Sequence, residues 1–372
     1  IFIFFDPTWR HPDYPDGLAF FDTKHNCAAI LGMSYFGEIK KGTLTLAWAT
    51  AARNNYVSCH GGLKIFRKEG DSYVASFFGL SGSGKSTLTH AKHDDKYDIE
   101  VLHDDAFVIS VEDGSSVALE PSYFDKTNDY PAGHREQDYF VTVQNCGVTL
   151  DENGRKVLVT EDIRNGNGRT IKSRYSTPNR VDKIKEPIQS IFWIMKDDAL
   201  PPLVKITDPR LASILGCTLM TKRSTAENTG AGANLDALVI EPYANPFRVY
   251  PLVEDYEKFK ALFDKGVDCY IINTGDFLGK KVTKEVSLGV IETVVDGKAN
   301  FELFGGLPGM EYLPVEGYEV PDMNGEYAEL IRDRMQFRLD YLKAFNDANP
   351  EHQIPQDALE SIKTIERFID VL

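Results

Sequence analysis

The chain has 372 residues, enough for one large domain or two ordinary ones, and 42% of them are hydrophobic, which suffices for a sizeable core. The formal net charge of −15 leaves no basic surplus, so nucleic acid and membrane surfaces are excluded as general partners. A nucleotide is not excluded, because it needs only a local positive site. No apolar run reaches the roughly 18 residues of a membrane span. The five cysteines are scattered without a C-x-x-C pair, which favours a reducing compartment and predicts a cytoplasmic location.

The chain starts without Met in a short apolar run, which is too short for a signal sequence, so we expect these residues to belong to a longer polypeptide. Residues 1–50 are predicted to hold short strands broken by a turn at residues 7–17. Apolar runs predict further strands at residues 73–78, 99–102, 190–195 and 269–273. The last two are predicted to be fully buried, because polar residues do not alternate within them.

Helical periodicity predicts helices at residues 255–263, 326–345 and 358–372. The polar stretch at residues 161–173 contains several Gly and Asn residues and is predicted to be a surface loop. This mixture of strands and helices indicates an α/β fold, with strands and helices combined as in mixed α+β proteins.

A glycine-rich motif follows the predicted strand at residues 73–78. The pattern G-x-x-x-x-G-K-[ST] is matched throughout by Gly79, Leu80, Ser81, Gly82, Ser83, Gly84, Lys85 and Ser86. Glycines let the backbone curl so that successive N–H groups point at phosphate oxygens. Lys85 supplies a cation for the β- and γ-phosphates, and the Ser86 hydroxyl can ligate Mg²⁺. A helix predicted to start at Thr87 adds a dipole that favours anions.

A pair of carboxylates, Asp104 and Asp105, closes the short apolar run at residues 99–102. Enzymes with this kind of phosphate-binding loop hold the nucleotide's Mg²⁺ with a carboxylate at the end of such a strand. The pair is therefore predicted to be associated with a metal.

The sequence resembles the ATP-dependent phosphoenolpyruvate carboxykinase family from about residue 30 to about residue 345. Two segments are specific: residues 35–42, Y-F-G-E-I-K-K-G, and residues 77–88, F-F-G-L-S-G-S-G-K-S-T-L. Shorter matches at residues 58–60, 200–202 and 273–275 follow in the family's order.

The resemblance implies that oxaloacetate loses CO₂ and that the resulting enolate takes the γ-phosphoryl group of ATP, giving phosphoenolpyruvate. It also implies a second divalent metal, usually Mn²⁺, held by Lys41, His60 and Asp105. Lys41 must be neutral to coordinate a metal, and we expect the Lys40 cation and the metal itself to lower its pKa, against the pull of Asp105.

By the same resemblance, Tyr35 contacts the substrate and Lys40 assists at phosphate oxygens. Arg174 is expected to neutralise charge near the γ-phosphate and the substrate carboxylate. Lys281 and Ser287 correspond to family residues that contact the adenosine. The predicted catalytic residues are Lys41, Lys85, Asp104 and Arg174. The family's substrate-carboxylate arginine lies upstream of the matched region, and Arg10 does not correspond to it.

The expected architecture has three parts: a remnant of an N-terminal substrate domain at residues 1–50, a nucleotide- and metal-binding catalytic domain at residues 51–350, and a C-terminal helix at residues 351–372. The active site is expected in the cleft between them. Two alternatives remain open, a protein serine kinase of the HPr-kinase type and a nucleotide-binding regulator without catalytic activity. The sequence does not predict the oligomeric state.

Overall fold

The computed structural model describes residues 1–80, 82–126, 148–158, 169–173, 179–222 and 237–371. Within these ranges the helices are α1 (Phe36–Arg53), α2 (Lys85–His90), α3 (Pro209–Cys217), α4 (Leu252–Asp264), α5 (Lys284–Val295), α6 (Gly325–Ala348) and α7 (Gln356–Ile369). No helix in this part of the chain is both long enough and apolar enough to cross a membrane.

The first half of the described chain contains the strands β1 (Phe2–Asp6), β2 (Leu18–Asp22), β3 (Cys27–Leu31), β4 (Tyr56–His60), β5 (Gly62–Lys68), β6 (Asp71–Phe78), β7 (Asp98–His103), β8 (Ala106–Ser110), β9 (Ser116–Ala118), β10 (Ser122–Lys126), β11 (Val148–Leu150), β12 (Lys156–Leu158) and β13 (Arg169–Ser173). The second half contains β14 (Lys183–Ile184), β15 (Ser190–Met195), β16 (Leu203–Ile206), β17 (Met220–Lys222), β18 (Leu238–Ile240), β19 (Asp268–Asn273), β20 (Asp276–Phe277), β21 (Lys280–Lys281), β22 (Glu302–Leu303) and β23 (Met310–Tyr312).

A mixed sheet of eight strands forms the centre of the fold, in the order β22-β23-β16-β19-β15-β6-β5-β7. The middle strand β15 pairs in parallel with β6 on one side and with β19 on the other. All six residues of β15 are buried, because its apolar side chains alternate between the two covered faces of the sheet. Phe192 packs in one core cluster and its neighbour Trp193 packs in the other.

The two faces of this sheet are covered by different elements. On one face, Phe78 and Trp193 join a large core with residues of α3, α4, α6 and α7 and with β4 and β8. These two strands belong to a second sheet, in the order β14-β9-β8-β4. On the other face, Phe77 and Phe192 pack with Leu88 of α2 and with apolar residues of α5. The mixed α/β architecture predicted from the sequence is confirmed.

The first 53 residues combine a small sheet, in the order β1-β3-β2, with helix α1. The prediction of short strands here is confirmed for β1, β2 and β3, but residues 36–50 are helical instead. Helix α1 continues to Arg53, so the predicted domain boundary at residue 50 falls inside a helix. Its side chains Leu44 and Trp48 pack against Ala106 and Val108 of β8, which joins the small sheet to the rest of the fold.

Most other predicted elements are present. The strands predicted at residues 73–78, 99–102, 190–195 and 269–273 correspond to β6, β7, β15 and β19, and the three predicted C-terminal helices correspond to α4, α6 and α7. The predicted surface loop at residues 161–173 was wrong at its end, because Arg169–Ser173 forms β13 and pairs with β10. Residues 161–168 lie outside the described residues.

Candidate functional site

The glycine-rich segment lies between the end of β6 and the start of α2, as its motif predicts. Gly84, which precedes the helix, has φ of 102°, a left-handed conformation that favours glycine. A Cβ atom on Gly79 would lie 2.3 Å from the Ser83 hydroxyl oxygen, so this position also requires glycine. Leu80 and Ser83 are buried, whereas Ser86 and Thr87 are exposed on the first turn of α2. Ser81 lies outside the described residues.

Asp105 is the point at which the basic side chains of the site converge. Its carboxylate oxygens lie 2.5 Å from Lys40 Nζ, 2.8 Å from Lys41 Nζ and 3.8 Å from Lys85 Nζ. His60 Nε2 lies 3.0 Å from Asp105 Oδ1. Four elements contribute these groups: α1 carries both lysines, β4 ends at His60, α2 begins at Lys85, and Asp105 follows β7. The structure thus brings Lys41, His60 and Asp105 together beside Lys85.

The neighbouring residues Lys40 and Lys41 have pKa values shifted in opposite directions. Burial lowers the pKa of Lys41, the nearby Lys40 cation lowers it further, and Asp105 opposes both. Burial also disfavours the charged form of Lys40, but Asp105 and Glu120 outweigh it and raise the pKa of Lys40 to about 12. Lys40 is therefore the cation of the pair, and Lys41 is the more easily deprotonated amine. The effect of Lys40 on the Lys41 pKa was predicted from the sequence, whereas the larger effect of burial was not.

His60 is oriented by the backbone of a distant segment. Its Nδ1 donates a hydrogen bond to the Ala244 carbonyl, which leaves Nε2 facing Asp105. Burial, reinforced by the Lys85 and Lys41 cations, lowers the pKa of His60 to about 4, so its ring is neutral at pH 7. A neutral Nε2 then turns a lone pair toward the carboxylate oxygen, and a cation between the two atoms satisfies both.

These donors fit a divalent metal ion. The neutral imidazole nitrogen of His60 and the Lys41 amine, whose pKa is lowered, both lie within hydrogen-bonding distance of the ionised Asp105 carboxylate. Lys41 and Lys40 hold the pKa of Asp105 well below its usual range, although burial alone would raise it. No group of three His, Cys, Asp or Glu side chains suited to a metal occurs among the described residues, so a metal here depends on the lysine.

The remaining predicted site residues have more varied surroundings. Asp104 pairs with His90 of α2 at 3.2 Å. Burial alone would raise the pKa of Asp104, but His90 and His103 together lower it. Tyr35 is 43% exposed and precedes the helix that carries Lys40. Lys281 Nζ donates to the Thr274 carbonyl at 3.2 Å.

Ser287 is buried on α5, and its hydroxyl donates to the Thr283 carbonyl. Arg174 lies outside the described residues, so its predicted role stays a prediction.

Several groups at the site were missed by sequence reasoning. Glu120 lies 3.1 Å from Lys40 Nζ, and burial, opposed by Lys40, raises the pKa of this carboxyl to about 6. Phe247 places its ring 4.7 Å below Lys41 Nζ and stacks against Trp48. Neither residue belongs to a local motif, and each reaches the site only through the tertiary fold.

The structure is a mixed α/β protein in which a glycine-rich turn lies between a buried strand and a helix. Lys85 at the start of this helix lies next to a cluster of groups whose chemistry suits a divalent cation. The sequence model of the phosphoenolpyruvate carboxykinase family matches residues 8–322 of the chain. The chain therefore belongs to the ATP-dependent phosphoenolpyruvate carboxykinase family, which confirms the resemblance drawn from its motifs. It is 24% identical over 363 residues to the phosphoenolpyruvate carboxykinase (ATP) of Aeropyrum pernix, a match that covers 88% of this chain and 70% of that protein.

Proposed function

We propose that this chain catalyses the ATP-dependent conversion of oxaloacetate to phosphoenolpyruvate, CO₂ and ADP. Family membership supports the proposal. The observation that carries it is the convergence of Lys41 and His60 on Asp105, with Lys85 of the glycine-rich loop only 3.8 Å from the same carboxylate. A metal between substrate and phosphoryl group needs donors of this kind directly beside the phosphate-binding lysine.

The proposed nucleotide is ATP, bound with Mg²⁺. The N–H groups of residues 79–87 and the Lys85 ammonium would hold its phosphates, and the exposed Ser86 hydroxyl would ligate Mg²⁺. Lys281 and Ser287 are the proposed adenosine contacts. Lys281 is an exposed side chain hydrogen-bonded to Thr274, close in sequence to the strand ends that border the loop.

The second proposed metal is Mn²⁺, at Lys41, His60 and Asp105. When bound, such an ion supplies a Lewis acid for charge on the enolate and phosphoryl oxygens. Lys40 stays charged and would attract phosphate oxygens. Tyr35 and Arg174 are the proposed substrate contacts. Asp104, held by His90, would help to orient the start of α2 and its Lys85.

The decisive experiment measures ADP release with and without oxaloacetate. We expect release to require oxaloacetate, and Lys85→Met to lower kcat/KM by about 100-fold or more, because it removes a charge aimed at the transferring phosphoryl group. Lys298→Met, which changes a lysine that is 74% exposed, is the matched control and should behave as the parent does.

ADP release that does not depend on oxaloacetate would reject the carboxykinase proposal. Unchanged turnover in the Lys85 variant would reject the assignment of the loop.

A further inference from the structure

Two side chains outside the glycine-rich motif donate hydrogen bonds to backbone carbonyls of its loop. Lys196 Nζ donates to the Gly82 carbonyl at 2.8 Å, and the Thr274 hydroxyl donates to the Ser83 carbonyl at 2.7 Å. These carbonyls belong to successive peptide groups of the loop. A backbone loop binds an anion through its N–H groups, which requires its carbonyl groups to be turned away and paired elsewhere.

The two donors are held by the ends of neighbouring strands. Lys196 follows β15, and Thr274 follows β19, which pairs with β15 in parallel. The Thr274 N–H donates to the Met195 carbonyl at 3.0 Å, which ties the two strand ends together. A Cβ atom on Gly275 would lie 3.0 Å from Lys196 Cα, so the two segments are in close contact.

Asn273 makes this junction rigid. Its buried side-chain amide donates to the carbonyls of Asp197 at 2.9 Å, Leu200 at 2.6 Å and Asp276 at 2.9 Å. Its side-chain oxygen accepts from the Gly275 N–H at 2.9 Å. One buried amide therefore fixes both turns that carry the donors, which leaves Lys196 and Thr274 little freedom to move relative to the loop.

We propose that Lys196 and Thr274 are positioning residues of the phosphate-binding loop. By pairing with the carbonyls of Gly82 and Ser83, they hold the loop with its N–H groups turned toward the phosphates and raise its affinity for a polyphosphate. This inference rests on the proposed function only in taking the loop as the phosphate site.

The test measures dissociation constants for ATP and for inorganic tripolyphosphate by calorimetry. Thr274→Val keeps the shape of the side chain and removes its donor, and Lys196→Met removes the other donor. Each should weaken both ligands by about threefold to tenfold, the usual effect of one lost hydrogen bond. Thr274→Ser and Lys196→Arg, which keep a donor, should stay within about twofold of the parent. Lys205→Met is the control, because Lys205 lies on β16 of the same sheet and pairs with Asp268 away from the loop.

The two bonds are tested separately, so a folding defect in one variant leaves the other informative. Unchanged tripolyphosphate affinity in Lys196→Met and Thr274→Val would overturn the proposal. A loss with ATP but not with tripolyphosphate would also overturn it, because the effect would then lie with the nucleoside. Binding is measured without oxaloacetate, so failure of the carboxykinase reaction is a separate outcome.

Discussion

Asp105 contacts several basic side chains at once, and the pKa values of these side chains differ from those of isolated surface residues. Lys40 and Lys41 are consecutive, yet the first is held as a cation and the second is pushed toward its neutral form. The difference comes from Glu120, which faces Lys40, and from the Lys40 charge itself, which acts on Lys41. Two consecutive lysines therefore have pKa values shifted in opposite directions.

Lys41→Arg tests this difference. Arginine preserves the positive charge and much of the length but does not deprotonate, so it cannot donate a lone pair to a metal. We expect Mn²⁺ affinity to fall at least tenfold, in the range seen when a metal site loses a supporting group, while Mg²⁺-ATP binding at Lys85 and Ser86 changes little. Electron paramagnetic resonance during a Mn²⁺ titration measures the first quantity, and calorimetry with Mg²⁺-ATP is the control. A Mn²⁺ titration that matches the parent would mean that Lys41 is only a buried cation.

Helix α2 is short and is held at its C-terminal end by a buried lysine. Lys64 Nζ donates to the carbonyls of Leu88 and Ala91 and to His93 Nε2, while His93 Nδ1 contacts Glu292 Oε1 at 2.9 Å. This chain of contacts connects the helix after the phosphate loop to α5. Burial lowers the pKa of His93, which favours a neutral ring whose Nε2 accepts a hydrogen bond from Lys64.

Acid should therefore weaken the fold through His93. Burial, reinforced by Lys64, lowers the pKa of His93 to about 4, against about 6.5 in the unfolded chain. Between these values the unfolded state binds more protons, so the free energy of unfolding falls as the pH drops from about 6.5 to about 4. His93→Gln, which can accept and donate but does not titrate, should show a shallower fall in urea unfolding over that range. The control is His352→Gln, because His352 is exposed. Equal slopes for parent and His93→Gln would contradict this.

The segment before α4 is held by a buried ion pair. Arg248 Nε lies 2.7 Å from Asp255 Oδ2, and another Arg248 nitrogen donates to the Pro242 carbonyl. The same segment presents the Ala244 carbonyl that orients His60. Burial raises the pKa of Asp255, although Arg248 opposes it, so the carboxylate depends on its partner.

Arg248→Met should lower the free energy of unfolding by about 3–5 kcal/mol, because it leaves a buried carboxylate without its partner. The double variant Arg248→Met, Asp255→Leu should recover part of this loss, because no unpaired charge remains. Urea unfolding measures both variants. A double variant no more stable than the single one would show that the cost comes from packing, not from the charge.

The elements that the sequence predicted share a simple pattern. Residues 190–195 were recognisable as a buried strand because six residues in a row are suited to a sheet covered on both faces. Helix α1 was not recognisable, because Gly37, Gly42 and the β-branched residues Thr43 and Thr45 weaken helical propensity. Packing decides that helix: a Cβ atom on Gly42 would lie 2.8 Å from the Ile30 side chain.

For the candidate site, the structure bears on where the named residues lie, and their roles stay predictions. The glycine-rich loop was predicted from its own motif, and Lys41, His60 and Asp105, which the structure brings together, were named through the family resemblance. Glu120, Phe247 and Lys196 were not named, because their contacts depend on how strands and helices far apart in sequence are placed. No local sequence pattern indicates how these distant elements are placed relative to one another.

The residues of the candidate site lie at one end of the central strands of the eight-stranded sheet. The glycine-rich loop follows β6, Lys196 follows β15 and Thr274 follows β19, and these three strands are parallel neighbours. Their carboxyl ends therefore meet, which is where ligands bind in sheets of this kind. The helix α1 reaches the same end from the small sheet and adds Lys40 and Lys41.

We expect the pairing of β6 with β15 to form late during folding. The Val74 N–H donates to the side chain of Gln189, which lies 115 positions further along the chain. Closing so long a loop is slow compared with forming a helix. In a stopped-flow refolding experiment, helical circular dichroism should therefore appear first. Capacity to bind a fluorescent ATP analogue should appear only in the slowest phase, after the central strands have joined. If nucleotide binding returned in the earliest phase, the loop would be competent before its neighbours were in place.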